Sequence, residues 1–394
     1  MFFKSPIVTI CALIIFLFAA FPVIAEDGAE LEPTSVLFWS QEQRENGFRN
    51  IDSLLPTRAI KAGAYVLEMP SVLQDFSAVT YTLEGKTFSL DDHMKLLSVG
   101  GLLVLHQGNI VYEKYGLEND ETSRWIAFSV AKSVTSMLIG AAIQDGYISS
   151  VNDPVTDYLP RLRGSAYDGA TIKNVLNMAS GVDWNEDYSD PESDVSIAGG
   201  SNAMELFAHL NSLEASAKPG EKFNYSTGET NLVGAILRAA VGNNESAYLE
   251  RKIWQPFGME SDASWNIDVK YGVELGGCCL NATLRDYARI GIFAMGGGVL
   301  ADGTRVLPEG WMEESTTPSK AYEGYGYLWW LMPDGTYAAQ GIFGQLIWVN
   351  TKTETIIVTH SAWPKAVGKD LAAHRWAMVA AIHDALSPLT LYDE

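Results

Sequence analysis

Cysteines and basic residues are scarce in this 394-residue sequence. Of its 3 cysteines, Cys278 and Cys279 are adjacent, and we expect no disulfide between them because neighbouring cysteines do not easily reach ordinary disulfide geometry. Lys plus Arg number 27 against 48 Asp plus Glu, a formal net charge of −21. Binding to phosphates or anionic lipids needs clustered basic side chains, so this balance argues against a nucleic acid or an anionic membrane surface as partner.

Metal-ligand spacings, internal repeats and low-complexity linkers are also lacking. The 6 histidines show neither His-Glu-x-x-His nor His-x-His spacing, so we expect no metal site. What is present is a globular composition, with 47% hydrophobic and 19% charged residues. The chain is long enough for one large domain or two lobes around a substantial core.

The first 25 residues have the pattern of a secretory signal peptide. Lys4 precedes an apolar run over residues 7–20, and Ala25 occupies a small-residue cleavage position before Glu26. An uncleaved anchor is the alternative, because the apolar run is near the length of a short membrane span. We expect cleavage, export to the periplasm or beyond the cell, and no stable membrane insertion of the remaining chain, since no later stretch could span a bilayer.

Strand-type patterns occupy both ends of the remaining sequence, and helical patterns occupy its centre. Two β-rich runs flank Gly108-Asn109 within residues 101–115, which predicts a hairpin. Further strands are predicted at 322–332, 336–350 and 353–361, and helices at 130–144, 171–179, 229–241 and 370–386. This order favours an α/β (α+β) fold in which both chain ends build one sheet and a helical lobe is inserted between them.

Ser129 and Lys132 form the first candidate catalytic motif. Residues three apart share a helix face, so the lysine amine can approach the serine hydroxyl at the start of the predicted helix. A serine hydroxyl is a weak nucleophile, and a lysine can take its proton only if burial or the positive end of a helix lowers the lysine pKa. Ser-x-x-Lys alone is usually structural. Here it occurs once, at a helix start, which is the context that its mechanism requires.

Two further segments could complete a hydrolytic site. Tyr225 precedes a predicted helix and could pass a proton to a leaving group, although it could also merely pack while Ser226 and Thr227 cap that helix. The segment 338–345 is rich in small residues, which let a strand approach a substrate closely. A main-chain N–H there could form an oxyanion hole with that of Ser129. An ordinary glycine-containing turn is the alternative.

Together these motifs resemble the serine β-lactamase and DD-peptidase-like superfamily. Ser129-x-x-Lys132, Tyr225 and the Gly341-x-x-Gly344 strand come in the order typical of it. Within its class C-like hydrolases, the resemblance is best to the 6-aminohexanoate-dimer hydrolases and related esterases. Supporting segments lie at 153–160, 176–188, 225–231, 276–289 and 344–345. The resemblance predicts an N-terminal extension over 26–84 and a hydrolase domain over 85–390, with its helical lobe at about 135–265.

The fold implied by the resemblance is an antiparallel sheet flanked by helices plus a mostly helical lobe, with the site at their junction. Ser129 would attack an acyl carbonyl, and Lys132 and Tyr225 would move the proton. The main-chain N–H groups of Ser129 and Ile342 would hold the oxyanion, and water would release the acyl group without a metal or cofactor. The substrate-binding positions implied are Tyr188, Cys278, Gly341, Phe343 and Gln345. The expected partner is a small amide or ester; the oligomeric state stays open.

Two positions depart from the class C β-lactamase pattern. Thr227 stands where the Tyr-x-Asn motif has Asn, and no lysine occurs between Lys320 and Lys352 to begin a Lys-Thr-Gly motif. That lysine normally helps hold a substrate carboxylate, so we rank an amide or ester hydrolase above a β-lactamase or DD-peptidase. A catalytically silent ligand-binding protein is another alternative, because fold does not imply function.

Residues 183–194 are rich in Asp and Glu and hold no Lys or Arg. A solvated loop is the simpler interpretation of such a run. The alternative is that its charge favours a substrate with a free amine.

Overall fold

The computed structural model describes residues 33–386 of the chain. The predicted signal peptide lies outside these residues. The strands are β1 (Thr57–Ile60), β2 (Thr80–Leu83), β3 (Lys86–Ser89), β4 (Val99–His106), β5 (Asn109–Tyr115), β6 (Arg124–Ile126), β7 (Ala263–Asn266), β8 (Leu280–Thr283), β9 (Trp330–Leu331), β10 (Tyr337–Gly341), β11 (Gln345–Asn350) and β12 (Thr355–Ser361). The α-helices are α1 (Gln41–Gly47), α2 (Ile51–Leu54), α3 (Leu90–Leu96), α4 (Val130–Gln144), α5 (Val155–Tyr158), α6 (Ile172–Leu176), α7 (Asp194–Gly200), α8 (Ala203–Ser212), α9 (Thr227–Val241), α10 (Glu245–Leu249), α11 (Gln255–Phe257), α12 (Leu284–Met295), α13 (Trp311–Ser315) and α14 (Lys369–Leu386).

One six-stranded antiparallel sheet is built from the two ends of the chain, which confirms the predicted arrangement. Its strand order is β5-β4-β12-β11-β10-β9. β4 and β5 form the predicted hairpin, with His106 opposite Asn109. β4 also pairs with the late strand β12, where Leu103 lies opposite Val358. The hairpin therefore forms one edge of the sheet, and the late strands complete it.

Successive residues of the central strands face helices on opposite sides of this sheet. A Cβ added to Gly291 of α12 would lie 3.0 Å from Ile356 and 3.1 Å from Ile347. The neighbouring residue Trp348 instead packs its ring 5.8 Å from that of His383 on α14. Because successive strand side chains point to opposite faces, α12 covers one face and α14 the other. The fold class, an antiparallel sheet flanked by helices, is confirmed.

A second antiparallel sheet, in the order β1-β7-β8-β6, leads the chain into the helical centre. Helices α4 to α11 lie between β6 and β7 along the chain. The predicted boundaries of the N-terminal extension, hydrolase domain and helical lobe (26–84, 85–390 and 135–265) stay predictions. No helix in the described part of the chain is long and apolar enough to cross a bilayer.

Several predicted elements need correction. The range 322–332 has a strand at Trp330–Leu331, whereas its earlier aromatic residues pack in a loop: Tyr325 lies 5.2 Å from Phe223 and 5.0 Å from Trp330 between ring centroids. The range 336–350 is two strands, because the chain reverses at Ile342–Gly344. The predicted helix 171–179 is shorter, at Ile172–Leu176. Tyr325, Tyr327 and Trp329 are buried in a loop, which explains their strand-like apolar pattern.

Candidate active site

Ser129 lies where the chain passes from β6 into the first turn of α4. The preceding residue, Phe128, has φ 45°, a left-handed value that residues other than glycine rarely adopt. Ser129 returns to helical values, with φ −68° and ψ −6°. Its side chain is 8% exposed and lines a cavity of about 510 Å³. The chain thus presents the serine hydroxyl to the cavity from the helix start that the sequence predicted.

Lys132 lies one helical turn below Ser129 and is 1% exposed. Its Nζ donates hydrogen bonds to Ser129 Oγ at 3.1 Å, Thr227 Oγ1 at 3.0 Å and the Gly277 carbonyl oxygen at 2.8 Å. Burial lowers the pKa of Lys132 to about 8, against the opposing charge of Glu186. About half of this amine is therefore neutral at pH 8, and a neutral amine can accept the Ser129 proton.

Tyr225 reaches the same pair from the loop that leads into α9. The centroid of its ring lies 5.6 Å from Lys132 Nζ and 5.4 Å from the stacked ring of Trp330. Burial and the charge of Glu186 raise the pKa of Tyr225, while a hydrogen bond from Ser129 lowers it. Tyr225 therefore keeps its proton at neutral pH. A protonated phenol beside the serine hydroxyl is suited to pass a proton to a departing atom.

Glu186, which sequence reasoning did not assign to the site, is connected to Lys132 through Thr227. Thr227 Oγ1 accepts from Lys132 and donates to Glu186, and the Thr227 N–H donates to Glu186 Oε2 at 2.9 Å. Trp184 Nε1 donates to the same carboxylate, as does the Tyr188 hydroxyl at 2.7 Å. Four donors thus fix the orientation of this carboxylate beside the base. In the sequence, Glu186 is one of several acidic residues in the segment 183–194, and nothing there distinguishes it as a site residue.

The Gly276-Gly277 turn supplies the third acceptor of Lys132. The Gly277 N–H donates to Asn231 Oδ1 at 2.9 Å, which fixes the direction of the Gly277 carbonyl. A Cβ at Gly277 would lie 3.0 Å from both a methyl and the carbonyl oxygen of Thr227. Only glycine lets the turn pass this close to α9. The adjacent glycines were therefore the sequence signal that could have located this acceptor.

Gly341 and Ile342, at the end of β10, line the same cavity as Ser129. A Cβ added to Gly341 would collide with the carbonyl oxygen of Ala127. The absence of a side chain therefore lets this strand end approach the backbone that leads into Ser129. The structure brings Ser129 and Ile342 to one cavity, and their role as the two oxyanion donors stays a prediction.

The five residues predicted to bind substrate fall into two groups. Tyr188 and Gly341 line the cavity. Phe343, Gln345 and Cys278 are not among the described residues that line it. For Phe343 and Gln345 the reason is the chain reversal at Ile342–Gly344, which turns both side chains into the protein.

Phe343 and Gln345 instead support the turn at Ile342. Gln345 is 2% exposed, and its Nε2 donates to the Ile342 carbonyl oxygen at 3.2 Å. The Phe343 ring lies 5.4 Å from both Phe128 and Phe48. Phe48 belongs to the segment before the sheet and also packs on Phe128 at 5.1 Å. Phe48 thus packs against Phe128 and Phe343, the chain neighbours of the candidate oxyanion donors Ser129 and Ile342.

Of the adjacent cysteines Cys278 and Cys279, Cys279 is buried. The expectation that these two cysteines form no disulfide stays a prediction. The pair directly follows Gly277, whose carbonyl accepts from Lys132. Cys278 is partly buried behind this turn rather than at the cavity wall.

Acidic residues of the segment 183–194 form hydrogen bonds within their own loop. Asp187 accepts from the Ser189 N–H at 2.9 Å, and Asp194 accepts from the Asn185 N–H at 2.7 Å and pairs with a histidine. None of the segment's acids is among the described residues that line the cavity. No group of three or more His, Cys, Asp or Glu side chains within residues 33–386 could hold a metal ion.

The fold places Ser129, which is hydrogen-bonded to the buried Lys132, beside Tyr225. This arrangement, together with the family and the relative described next, identifies the protein as a serine hydrolase. The chain belongs to the β-lactamase family, whose profile, described as Beta-lactamase, matches residues 91–381. It is 28% identical over 358 residues to the 6-aminohexanoate-dimer hydrolase of Paenarthrobacter ureafaciens, covering 84% of this chain and 89% of that protein.

Solved structures show the same fold. A Bacillus anthracis protein provisionally named 6-aminohexanoate-dimer hydrolase superposes with a TM-score of 0.78 at 21% identity, covering 87% of this chain and 95% of that one. A class C β-lactamase mutant superposes with a TM-score of 0.57 at 17% identity, covering 74% of this chain and 95% of that one. These likenesses extend the family assignment to the three-dimensional fold.

Proposed function

We propose that this serine hydrolase cleaves an amide or ester bond of a small substrate through an acyl-enzyme on Ser129. The observation that carries the proposal is the 3.1 Å contact between Lys132 Nζ and Ser129 Oγ. Burial of Lys132 lowers its pKa to about 8, so the amine can act as a base rather than as a permanent cation. Tyr225 beside the same hydroxyl provides a proton donor for the leaving group.

The reaction follows from these positions. Ser129 Oγ forms a bond to the carbonyl carbon while its proton passes to Lys132 Nζ, directly or through Tyr225. The N–H groups of Ser129 and Ile342 stabilise the negative charge on the carbonyl oxygen. The C–N or C–O bond then breaks, and Tyr225 donates a proton to the leaving atom, receiving one from Lys132. Water then attacks the carbonyl carbon of the acyl-enzyme ester with the same proton transfers, which releases the acid and restores Ser129.

The substrate type that we favour is a linear amide or ester. The relative with 28% identity is named for hydrolysis of the 6-aminohexanoate dimer, an amide. The lysine that helps β-lactamases hold a substrate carboxylate is lacking at its usual place before the oxyanion strand. Both observations favour an amidase or esterase over a β-lactamase.

We place this activity outside the cytoplasm, in the periplasm or the medium. The support is the charged, apolar and small-residue pattern of residues 1–25. Fractionation of cells that produce the full chain, with N-terminal sequencing of the product, tests this location. A product that begins at Glu26 outside the cytoplasm supports it, and an intact cytoplasmic protein contradicts it.

Three substrates test the reaction side by side: p-nitrophenyl butyrate, the linear 6-aminohexanoate dimer and a chromogenic cephalosporin. Each is given to the purified protein and to Ser129→Ala. We expect turnover of the ester, the amide or both, and its loss in the variant. Turnover of the cephalosporin alone would instead identify a β-lactamase, and no turnover of any of them would leave a silent binding protein as the better description.

A further inference from the structure

Two residues beside the cavity adopt left-handed backbone values, and each is the chain neighbour of a predicted oxyanion donor. Phe128 has φ 45° and precedes Ser129, whereas Phe343 has φ 58° and follows Ile342. A bulky residue other than glycine rarely adopts this region, and it keeps such values only where the surrounding structure fixes them. Contacts in the fold therefore hold both phenylalanines in these conformations.

Phe48 is a residue that contacts both of them. The rings of Phe48, Phe128 and Phe343 form a triangle, whose centroids lie 5.1 Å apart for Phe48–Phe128 and 5.4 Å apart for each of the other two pairs. All three rings are buried. The Phe48 carbonyl oxygen also accepts from the N–H of Ile126, the last residue of β6, at 3.3 Å. Because one ring packs on both left-handed residues, it couples the position of the Ser129 turn to that of the Ile342 turn.

Arg44, on α1, adds a second contact between the same early segment and Phe343. Its guanidinium carbon lies 5.2 Å from the centroid of the Phe343 ring, and it donates to the Pro364 carbonyl oxygen at 2.9 Å. The loop around Pro364 is in turn bonded to the Phe343 backbone. The Phe343 N–H donates to the Ala366 carbonyl at 2.9 Å, and the Trp363 N–H donates to the Phe343 carbonyl at 3.1 Å. The turn after Ile342 is thus held both by its ring and by its backbone.

The early segment makes these contacts from outside the cavity. The β-lactamase profile matches residues 91–381, so Phe48 and Arg44 both lie before the matched region. The described residues that line the Ser129 cavity include neither of them. An effect of Phe48 on the reaction must therefore act through the backbone positions beside Ser129 and Ile342.

We infer that Phe48 is a positioning residue of the oxyanion hole, which holds the main-chain N–H groups of Ser129 and Ile342 at a fixed separation. The inference rests on the proposed function, which assigns these two donors. Oxyanion donors act on charge that develops in the transition state, so their displacement slows the reaction more than it weakens substrate binding. The segment before the hydrolase domain is therefore part of the catalytic unit.

The variant Phe48→Leu tests the inference, because leucine keeps the position apolar and removes the ring that bridges the two turns. The readouts are kcat per folded protein and KM for p-nitrophenyl butyrate, with the folded fraction taken from circular dichroism. Phe293→Leu is the matched control. Phe293 is also fully buried, but its ring packs 5.0 Å from that of Phe257, and it is not among the described residues that line the cavity.

We expect kcat to fall by about ten- to a hundredfold in Phe48→Leu, less than the loss from removing a donor outright. KM should change by no more than roughly twofold, since substrate binding does not depend on these donors. Phe293→Leu should keep both values. An unchanged kcat in Phe48→Leu, a rise in KM alone, or an equal loss of kcat in the control would overturn the inference.

A double-mutant cycle separates positioning from a general loss of stability. Gly341→Ala moves the end of β10, which leads directly into Ile342. If Phe48 acts through the same donor, the double variant Phe48→Leu/Gly341→Ala should lose much less kcat than the product of the two single losses. Losses that multiply would show that Phe48 acts elsewhere.

Hydrogen exchange tests the hold of Phe48 on the two turns without using the reaction. If the natural protein shows no Ser129-dependent hydrolysis, the proposed function fails, and this measurement still stands. Peptides that cover 127–131 and 338–345 should exchange faster in Phe48→Leu than in the natural protein, while a peptide from α9 keeps its rate. Unchanged exchange in the first two peptides, or an equal increase in α9, contradicts the inference.

Discussion

The hydroxyl of Thr227 lies between Lys132 and Glu186, accepting from the amine at 3.0 Å and donating to the carboxylate. It stands where a class C β-lactamase has asparagine. The base of this site is therefore coupled through one hydroxyl to a carboxylate that four donors hold in place. We conclude that the proton affinity of Lys132 is set by its burial and adjusted by Glu186.

The pH dependence of hydrolysis should report the pKa of Lys132, which burial lowers to about 8. Only the neutral amine accepts the Ser129 proton, so kcat/KM for a neutral ester should rise about tenfold per pH unit below pH 8 and level off above it. The measurement covers pH 6 to 9.5 and subtracts background hydrolysis. A profile that is flat, or that falls with rising pH, contradicts the assignment of Lys132 as the base.

Replacing Glu186 by glutamine should shift the rise of kcat/KM with pH to lower pH. The negative charge of Glu186 raises the pKa of Lys132, so its removal lets the amine lose its proton more easily. Glu186→Gln keeps the shape of the side chain, and the pH profile of kcat/KM is the readout that a merely structural role would not move.

Asp187→Asn is the matched control, since Asp187 is an exposed acid in the same loop, bonded to Ser189. Its profile should keep the natural midpoint. An unchanged midpoint in Glu186→Gln, or the same shift in both variants, would mean that Glu186 does not act on the base.

A methyl group at Gly341 should reduce hydrolysis strongly. The added Cβ would collide with the Ala127 carbonyl oxygen, so the end of β10 must move away from the backbone that leads into Ser129. Displacing one oxyanion donor costs roughly 10²–10³ in kcat in other serine hydrolases. We expect a loss of that order in Gly341→Ala. Gly199→Ala, where the Cβ meets open space, should keep full activity; equal activity of both variants would place Ile342 outside the oxyanion site.

Glu229 is a residue of α9 that is buried against Ser180, and it should make the stability of the protein depend on pH. Burial raises its pKa from 4.5 to about 8. Between these values the folded protein holds a proton that the unfolded chain has lost, so this group's contribution to stability falls as pH rises from about 4.5 to about 8. Glu229→Gln should match the natural protein near pH 4.5 and exceed it increasingly towards pH 8, by an amount of the order of a few kcal/mol.

Thermal unfolding of both proteins across this pH range measures the effect, with exposed Glu221→Gln as the control for general charge changes. A stability difference between Glu229→Gln and the natural protein that is constant with pH would show that Glu229 remains charged in the fold.

Local spacing in the sequence predicted the contact between Ser129 and Lys132, whereas the other partners of Lys132 depend on long-range packing. Lys132 could be placed beside Ser129 because three residues make nearly one helical turn. Thr227 and Gly277 contact Lys132 from 95 and 145 positions away, and Glu186 is connected to it through Thr227. No periodic pattern in the sequence encodes such long-range contacts. The sequence did predict one sheet from both chain ends, because strand patterns are local.

The orientation of side chains within short segments could not be predicted from the sequence. Small residues correctly indicated a strand that approaches the nucleophile. The chain then reverses at Ile342–Gly344, with Phe343 at φ 58° and Gly344 at φ 95°, which turns Phe343 and Gln345 into the protein.

The central claim is that Ser129 carries the acyl group, and mass spectrometry of the intact protein tests it most directly. The protein is mixed with p-nitrophenyl butyrate, and the reaction is quenched in acid within milliseconds to seconds. The mass of the intact protein is measured, and the protein is then digested to locate the modified peptide. We predict a transient increase of one butyryl group, located on the peptide that contains Ser129 and lacking in Ser129→Ala. A butyryl group on another residue, or ester turnover that persists in Ser129→Ala, would contradict the mechanism.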